Sequence, residues 1–168
     1  MAEEARGNGQ TEIPPPAGGL QQLMINAQYI KDFSFENPRA PQSLIQQTTQ
    51  PSVDINVDVK AQNLGPDVFE VILTINVTAR TQDQPVFLVE LAYGTVVTVK
   101  NAPPEMLAPL ILVETPRIVF PFARAIIANA TRDGGFPPLM INPIDFAELL
   151  HRQQAEAQMI SSPGNAVV

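Results

Sequence analysis

The sequence predicts an α+β fold, in which a four-stranded antiparallel sheet is followed by helices packed on one of its faces. Apolar and polar residues alternate with period two in four segments before residue 101. After Ala102 the apolar spacing becomes helical. The chain has 168 residues, of which 45% are hydrophobic, enough for one buried core. These observations favour a single domain with its strands first and its helices second.

The first strand is predicted in "LMINAQYIKDFSFENP", which alternates toward its end. Phe33 and Phe35 point to one face, and Asp32, Ser34 and Glu36 point to the other. After the turn-forming "NPRAP", the chain enters a polar loop, from residue 42 to residue 52. We therefore expect a strand with one apolar face and one acidic face.

The other three strands follow in sequence. The second has the clearest alternation: Val53, Ile55, Val57 and Val59 alternate with Asp54, Asn56, Asp58 and Lys60. A turn at "NLGPD" leads into the third strand, "VFEVILTINVTART". The fourth, "VFLVELAYGTVVTVK", has Leu88 and Glu90 on its polar side, and Gly94 suggests a bulge or bend.

A long helix is predicted in "PRIVFPFARAIIANATRD", capped by Thr115 and ended by Gly134 and Gly135. Pro121 offers an alternative start or a kink. Apolar residues cover most of the helix circumference, more than one sheet can bury. We therefore expect a second copy of the chain to cover part of this helix, through Ile118, Val119, Phe122, Ile126 and Ile127.

The remaining segments have simpler patterns. Residues 136–142 are predicted as an extended apolar connection, and Pro143 as the start of a last helix that ends near Gln154. Residues 1–20, with three consecutive prolines, and residues 154–168 are predicted to be flexible tails around a domain of residues 21–153.

Composition excludes several classes of function. A formal net charge of −7 disfavours binding to nucleic acid or to an anionic membrane surface. The absence of cysteine excludes disulfides and thiolate metal sites. The sequence shows neither an export signal nor a transmembrane run of about 18 apolar residues. A cytoplasmic location is therefore expected.

No residues form a recognisable catalytic or metal-binding set, so an enzyme, a cofactor and a metal are not expected. His151 is the only histidine and has no evident nucleophile partner. Asp32 and Glu36 lie roughly 13 Å apart on a strand, too far for paired catalytic carboxylates. From pattern alone, these acidic residues are interpreted as a solvated sheet face, with a docking surface as the alternative.

The apolar residues after Gly135 have two readings. Core packing is the first, and a surface groove is the second, because an extended linker cannot bury all its alternating side chains under one helix. The residues concerned are Phe136, Leu139, Met140, Ile141, Ile144, Phe146 and Leu149. Leu44 and Ile45, two apolar residues in the polar loop, are candidates for lining the same groove.

Three stretches together resemble the SecB family of protein-export chaperones: "YIKDFSFENPRAP", "FLVELAYG" and "PRIVFPFARAIIANATRDGGFPPLMINPIDF". The resemblance covers about residues 23–152. It implies a cytoplasmic homotetramer, a dimer of dimers, that binds unfolded secretory precursors without ATP and delivers them to the export ATPase SecA. The loop "SLIQQTTQP" lacks a tryptophan that some relatives have before this proline.

The resemblance also assigns roles to residues of this chain. It places SecA docking at Asp32, Glu36, Leu88 and Glu90, in place of a merely solvated face. It places the precursor-peptide groove at Leu44, Ile45, Phe136, Leu139, Met140, Ile141 and Phe146. Two other functions stay open: a related chaperone dedicated to a toxin–antitoxin pair, and a β-rich carrier of small apolar ligands.

Overall fold

The sheet has the strand order β1-β4-β3-β2, with every neighbouring pair antiparallel, in a computed structural model that describes residues 20–45 and 49–161. The strands are β1 (Gln22–Glu36), β2 (Ser52–Gly65), β3 (Val68–Thr81) and β4 (Gln84–Lys100). A short helix, α1 (Gln42–Ile45), lies in the connection from β1 to β2. This connection crosses from one edge of the sheet to the other. The predicted four-stranded antiparallel sheet is confirmed.

One face of the sheet forms the core. Along β3 every second side chain is almost fully buried, while the intervening ones are half-buried: the buried set is Val71, Leu73, Ile75, Val77 and Ala79. The same alternation in β4 places Phe87, Val89 and Leu91 on this inner face. Helices cover the inner face, and the opposite face, which we call the outer face, carries the polar residues.

Gly94 does not form the predicted bulge. It keeps its place in both ladders, opposite Tyr29 on one side and Ile72 on the other. In the pairing of β1 with β4 the irregularities lie in β1 instead, between Ile25 and Ala27 and between Ile30 and Asp32. A Cβ atom on Gly94 would lie 2.4 Å from Cζ of Tyr29. Glycine is therefore needed here because the Tyr29 ring lies against the backbone of β4.

The long helix begins earlier than predicted. Helix α2 (Pro104–Pro109) continues through a π-helical segment (Leu110–Glu114) into α3 (Thr115–Asp133), so Thr115 is not an N-cap. Both the amide and the hydroxyl of Thr115 donate to the Leu110 carbonyl, the hydroxyl at 2.9 Å. This wider turn carries the helix across Pro116, which has no amide hydrogen to donate.

Helix α3 ends as predicted, with Gly135 in the left-handed region at φ 91°. The last helix, α4 (Phe146–Ser161), starts later than Pro143, because the Asp145 carboxylate accepts the Glu148 amide at 3.0 Å and caps it. It also continues past Gln154, so the predicted helix end is wrong. The predicted tails otherwise lie in residues 1–19 and 162–168, outside the described residues.

Helix α3 packs on β1, β3 and β4, and α4 packs on the π-helical segment. The side chains of α3 at the sheet are spaced by four residues: Val119, Ala123 and Ile127, each at most 1% exposed. Phe146, at the start of α4, is 1% exposed and meets Phe120 edge-on at 6.0 Å. In the described part of the chain, no helix is long and apolar enough to span a membrane.

Candidate functional site

The four residues assigned to docking lie together on the outer face. Ser34 pairs with Glu90 and Glu36 pairs with Leu88, and directly opposed residues of antiparallel strands share a face. Asp32, Glu36 and Glu90 are exposed, while Leu88 is half-buried among them. The alternation in the sequence predicted this shared face correctly, and the register of β1 on β4 brings the residues side by side.

The acidic surface extends further than the sequence indicated. Three cross-strand rows run over the outer face: Asp32·Ala92·Thr74·Asp58, Ser34·Glu90·Asn76·Asn56 and Glu36·Leu88·Thr78·Asp54. These rows contain five carboxylates and no lysine or arginine. Asp58 is half-buried, lies 3.4 Å from Lys60 of the next row and accepts a hydrogen bond from Gln153 of α4 at 2.6 Å, so the exposed acidic part of the face is formed by the other four. Asp54 and Asp58 were predicted only as the polar face of β2. Their alignment with the β1 residues depends on strand order, which the local alternation does not reveal.

A buried carboxylate lies on the same face, two rows beyond Asp32·Ala92·Thr74·Asp58. Glu70 accepts hydrogen bonds from Lys31, at 2.8 and 3.0 Å, and from Tyr29 and Gln62. The bonds from Lys31 and Tyr29 lower the pKa of the Glu70 carboxyl. The hydrogen bond that Tyr29 donates to Glu70 is also the main cause that raises the pKa of Tyr29 to about 12. Lys31 is thus paired with Glu70 rather than with the carboxylates of the three rows.

An apolar groove of about 500 Å³ opens between the end of the crossover connection and the segment that follows α3. We call it the groove. Its described lining residues are Thr49, Gln50, Pro51, Val53, Phe87, Phe136, Pro137, Pro138, Leu139 and Met140. Three predicted groove residues, Phe136, Leu139 and Met140, are therefore brought together. Phe87 and residues 49–53 were not predicted, since their contact with residues 136–140 is long-range.

Aromatic rings form the base of the groove. Phe87 lies 4.9 Å from Phe136 and 6.0 Å from Phe35, centroid to centroid. Phe136 is 5% exposed, whereas Met140 at the rim is 61% exposed. The groove therefore combines a fixed aromatic base with a mobile, polarisable side chain at its edge.

Two of the predicted groove residues belong to the core instead. Phe146 is 1% exposed and Ile141 is 4% exposed, and neither lines the groove. Ile141 instead borders a separate cavity of about 770 Å³ between β2 and α4. The sequence could not distinguish these residues from Leu139 and Met140, because all four lie in one apolar run.

Leu44 and Ile45 lie near the groove but outside its described lining. Leu44 is 41% exposed and packs against the turn after α3, where a Cβ atom on Gly135 would lie 3.0 Å from Cδ2 of Leu44. Ile45 is 78% exposed. Leu44 therefore presents apolar surface beside the turn that leads into the groove segment, and Ile45 follows it in the chain with most of its side chain exposed.

The predicted interface residues of α3 divide into two groups. Val119 and Ile127 are buried against the sheet of their own chain, which corrects their assignment to an interface. Ile118 and Phe122 are 45% and 53% exposed, and Ile126 is half-buried. Together with the exposed Pro121 they form an apolar surface that this single chain leaves open.

His151 is exposed, and no group of three or more His, Cys, Asp or Glu side chains in residues 20–45 and 49–161 is placed to hold a metal ion. The notable features of the described chain are therefore two surfaces: an acidic sheet face and an apolar groove on the other side of the same sheet.

Comparison with known proteins identifies the family. A family model described as "Preprotein translocase subunit SecB" matches residues 17–157. The protein named Protein-export protein SecB in Rhodopseudomonas palustris is 49% identical over 157 residues, covering 94% of this chain and 98% of that protein. Its namesake in Bradyrhizobium diazoefficiens is 51% identical over 153 residues, covering 91% and 92%.

A solved structure shares the fold. It is a SecB-like chaperone of Mycobacterium tuberculosis in complex with an antitoxin peptide, with a TM-score of 0.61 over 73% of this chain and 90% of that one. At 15% sequence identity this likeness shows the fold alone. The family match and the relatives near half identity carry the assignment: the chain belongs to the SecB family of protein-export chaperones.

Proposed function

We propose that this protein binds non-native secretory precursors in the cytosol, keeps them unfolded without ATP, and delivers them to SecA. The observation that carries the proposal is the groove, an open apolar cleft with an aromatic base in a member of a protein-export family. Such a cleft is suited to the apolar side chains that an unfolded chain exposes and a folded one hides.

The energetics favour broad client selection. Each apolar side chain buried in the groove contributes up to about 1.5–3 kcal/mol before the cost of ordering the chain. Several such weak anchors bind an unfolded segment without demanding one sequence. Selection is then kinetic, because a precursor that folds quickly buries its anchors before capture.

The outer face is proposed to dock SecA. Asp32, Glu36 and Glu90 surround the half-buried Leu88, a pattern of charged rim and apolar centre that suits a partner with complementary basic groups. Docking and client binding would then use opposite faces of the same two strands. A client held in the groove leaves the docking face free.

We also infer that the chain assembles as a homotetramer, a dimer of dimers. The exposed side chains of Ile118 and Phe122, with half-buried Ile126, form an apolar helix surface that another copy would cover. A tetramer would present several grooves to one client, and their joint engagement raises the effective affinity.

Two other candidate functions receive less support. A carrier of small apolar ligands needs an enclosed cavity, yet the described sheet is open, with β1 and β2 as its edges. A chaperone dedicated to a toxin–antitoxin pair shares the fold, but the relatives of high identity are export proteins.

The test is a refolding assay without nucleotide. The purified protein is added to a denatured, signal-bearing precursor as the denaturant is diluted, and recovery of native fluorescence is followed. We expect the refolding rate to fall as the concentration of the chaperone rises. The same precursor without its signal peptide should be slowed less. Unchanged refolding of both would overturn the proposal.

A further inference from the structure

We propose that Thr131 is a positioning residue for client binding, because among the described residues it alone receives the amide hydrogen bonds that fix the groove segment, residues 136–140, to helix α3. The proposal rests on the client-binding function proposed above. Thr131 lies in the last turn of α3, is 0% exposed, and does not line the groove. It acts by holding the backbone of Phe136 and Leu139, which line the groove.

The hydroxyl of Thr131 both donates and accepts hydrogen bonds. It donates to the backbone carbonyls of Ile127 and Ala128, which lie four and three residues earlier in the helix, each at 3.1 Å. It accepts the amide of Leu139 at 2.9 Å. Its donor is committed to the helix, and this fixes the orientation of its lone pairs toward Leu139. The side chain therefore acts as a rigid acceptor rather than a freely rotating hydroxyl.

Besides its apolar packing on the core, the groove segment has few other backbone hydrogen bonds to hold it. Pro137 and Pro138 have no amide hydrogen, so between residues 136 and 139 only two amides can donate. The amide of Phe136 donates to the backbone carbonyl of Thr131 at 3.0 Å. The amide of Leu139 donates to the Thr131 hydroxyl. Both hydrogen bonds therefore end on one residue.

The geometry of the groove depends on these two bonds. Phe136 supplies part of its base, while Leu139 and Met140 supply one side. Loss of the hydroxyl leaves the carbonyl bond to Phe136 in place but removes the acceptor for Leu139. The aromatic base of the groove would keep its position. The side formed by Leu139 and Met140 would no longer be held at a fixed distance from that base. A client would then have to order this segment on binding, which weakens affinity.

The experiment compares Thr131→Val with Thr131→Ser. Valine keeps the volume and removes the acceptor, whereas serine keeps the acceptor. The probe is a fluorescently labelled, reduced and alkylated secretory precursor. We expect Thr131→Val to bind it about tenfold more weakly, which corresponds to the cost of ordering roughly one residue of the segment on binding, and Thr131→Ser to bind within about twofold of the unsubstituted protein.

Two further readouts separate positioning from general damage. Binding to SecA should be unchanged in Thr131→Val, since the outer face lies on the other side of the sheet. The Leu139 amide of the unsubstituted protein should be protected from hydrogen exchange. A freely exchanging Leu139 amide, or equal losses in precursor and SecA binding, would overturn the proposal. Precursor binding by Thr131→Val as tight as that of the unsubstituted protein would also overturn it. If the unsubstituted protein bound no precursor, the proposed function itself would fail.

Discussion

Phe35 and Phe87 stack with their ring centroids 6.0 Å apart under the groove, and each is followed in the chain by a residue of the outer face. Glu36 follows Phe35, and Leu88 follows Phe87. Because successive side chains of a strand point to opposite faces, two adjacent residues serve two different surfaces. The proposed client groove and the proposed docking face are therefore the two sides of one corner of the sheet.

The first prediction separates these two surfaces. Glu90→Lys or Asp32→Lys should weaken SecA binding by at least about tenfold, because a like charge then faces a basic partner. Precursor affinity should be unchanged, since both residues point away from the groove. Glu105→Lys, an exposed acidic residue at the start of α2, is the matched control and should leave both affinities intact. A parallel loss of precursor binding would contradict the separation.

The second prediction concerns assembly. Phe122→Glu places a charge on the open apolar surface of α3 and should reduce the molar mass measured by light scattering. Met159→Glu is the control, because Met159 is 77% exposed on α4, away from that surface. An unchanged mass for Phe122→Glu would show that this surface is not the interface.

The third prediction concerns a buried hydroxyl. Thr95 is 0% exposed, and its hydroxyl has no hydrogen-bond partner among the described residues. Thr95→Val should therefore raise the free energy of unfolding by about 1 kcal/mol, measured by urea denaturation. Thr115→Val is the comparison. Thr115 is equally buried but donates to Leu110, so its replacement should destabilise by about 1 kcal/mol. Destabilisation by both substitutions would contradict this reasoning.

The fourth prediction concerns the contact between Gly94 and Tyr29. Gly94→Ala should lower the free energy of unfolding by about 2 kcal/mol, because the added methyl displaces the Tyr29 ring. In a Tyr29→Ala background the same change should cost almost nothing, since the ring is gone. A double-mutant cycle measures the difference. Equal costs in both backgrounds would mean that the methyl clashes with something other than Tyr29.

The fifth prediction concerns pH. Hydrogen bonds from Lys31 and Tyr29 lower the pKa of Glu70 below its ordinary value of 4.5. The folded state therefore binds this proton less tightly than the unfolded state, and Glu70 stabilises the fold above pH 4.5. This contribution should be lost as the pH falls through the lowered pKa. The Glu70→Gln protein lacks this pH-dependent contribution. The difference in unfolding free energy between the unsubstituted protein and Glu70→Gln should therefore shrink on acidification. A constant difference would contradict the assignment.

The strands and their faces could be predicted because their cause is local. Alternation places Asp32 and Glu36 opposite Phe33 and Phe35 whatever the strand pairs with. The groove could be predicted only in part. Leu139 and Ile141 belong to the same apolar run, and only the packing of that run on the sheet leaves one at the groove and buries the other.

Helix α3 is a second case in which the sequence pattern does not predict which apolar residues are buried. Its circumference is apolar almost all round, so periodicity does not identify the side that meets the sheet. Val119 and Ile127 were predicted with Ile118 and Phe122, yet the first two are core and the last two are exposed. Its start was also misplaced, because a π-helical turn carries the backbone through Pro116, a residue that ordinarily marks a beginning.

By itself the sequence determined the four strands, the polarity of each face, the turn at Gly135 and the resemblance to an export-chaperone family. The tertiary structure alone decided which apolar residues stay at the surface, and which distant segments meet at Phe87. The reason is physical: side-chain alternation and turn conformation depend on neighbouring residues, whereas burial depends on what the rest of the fold brings against them.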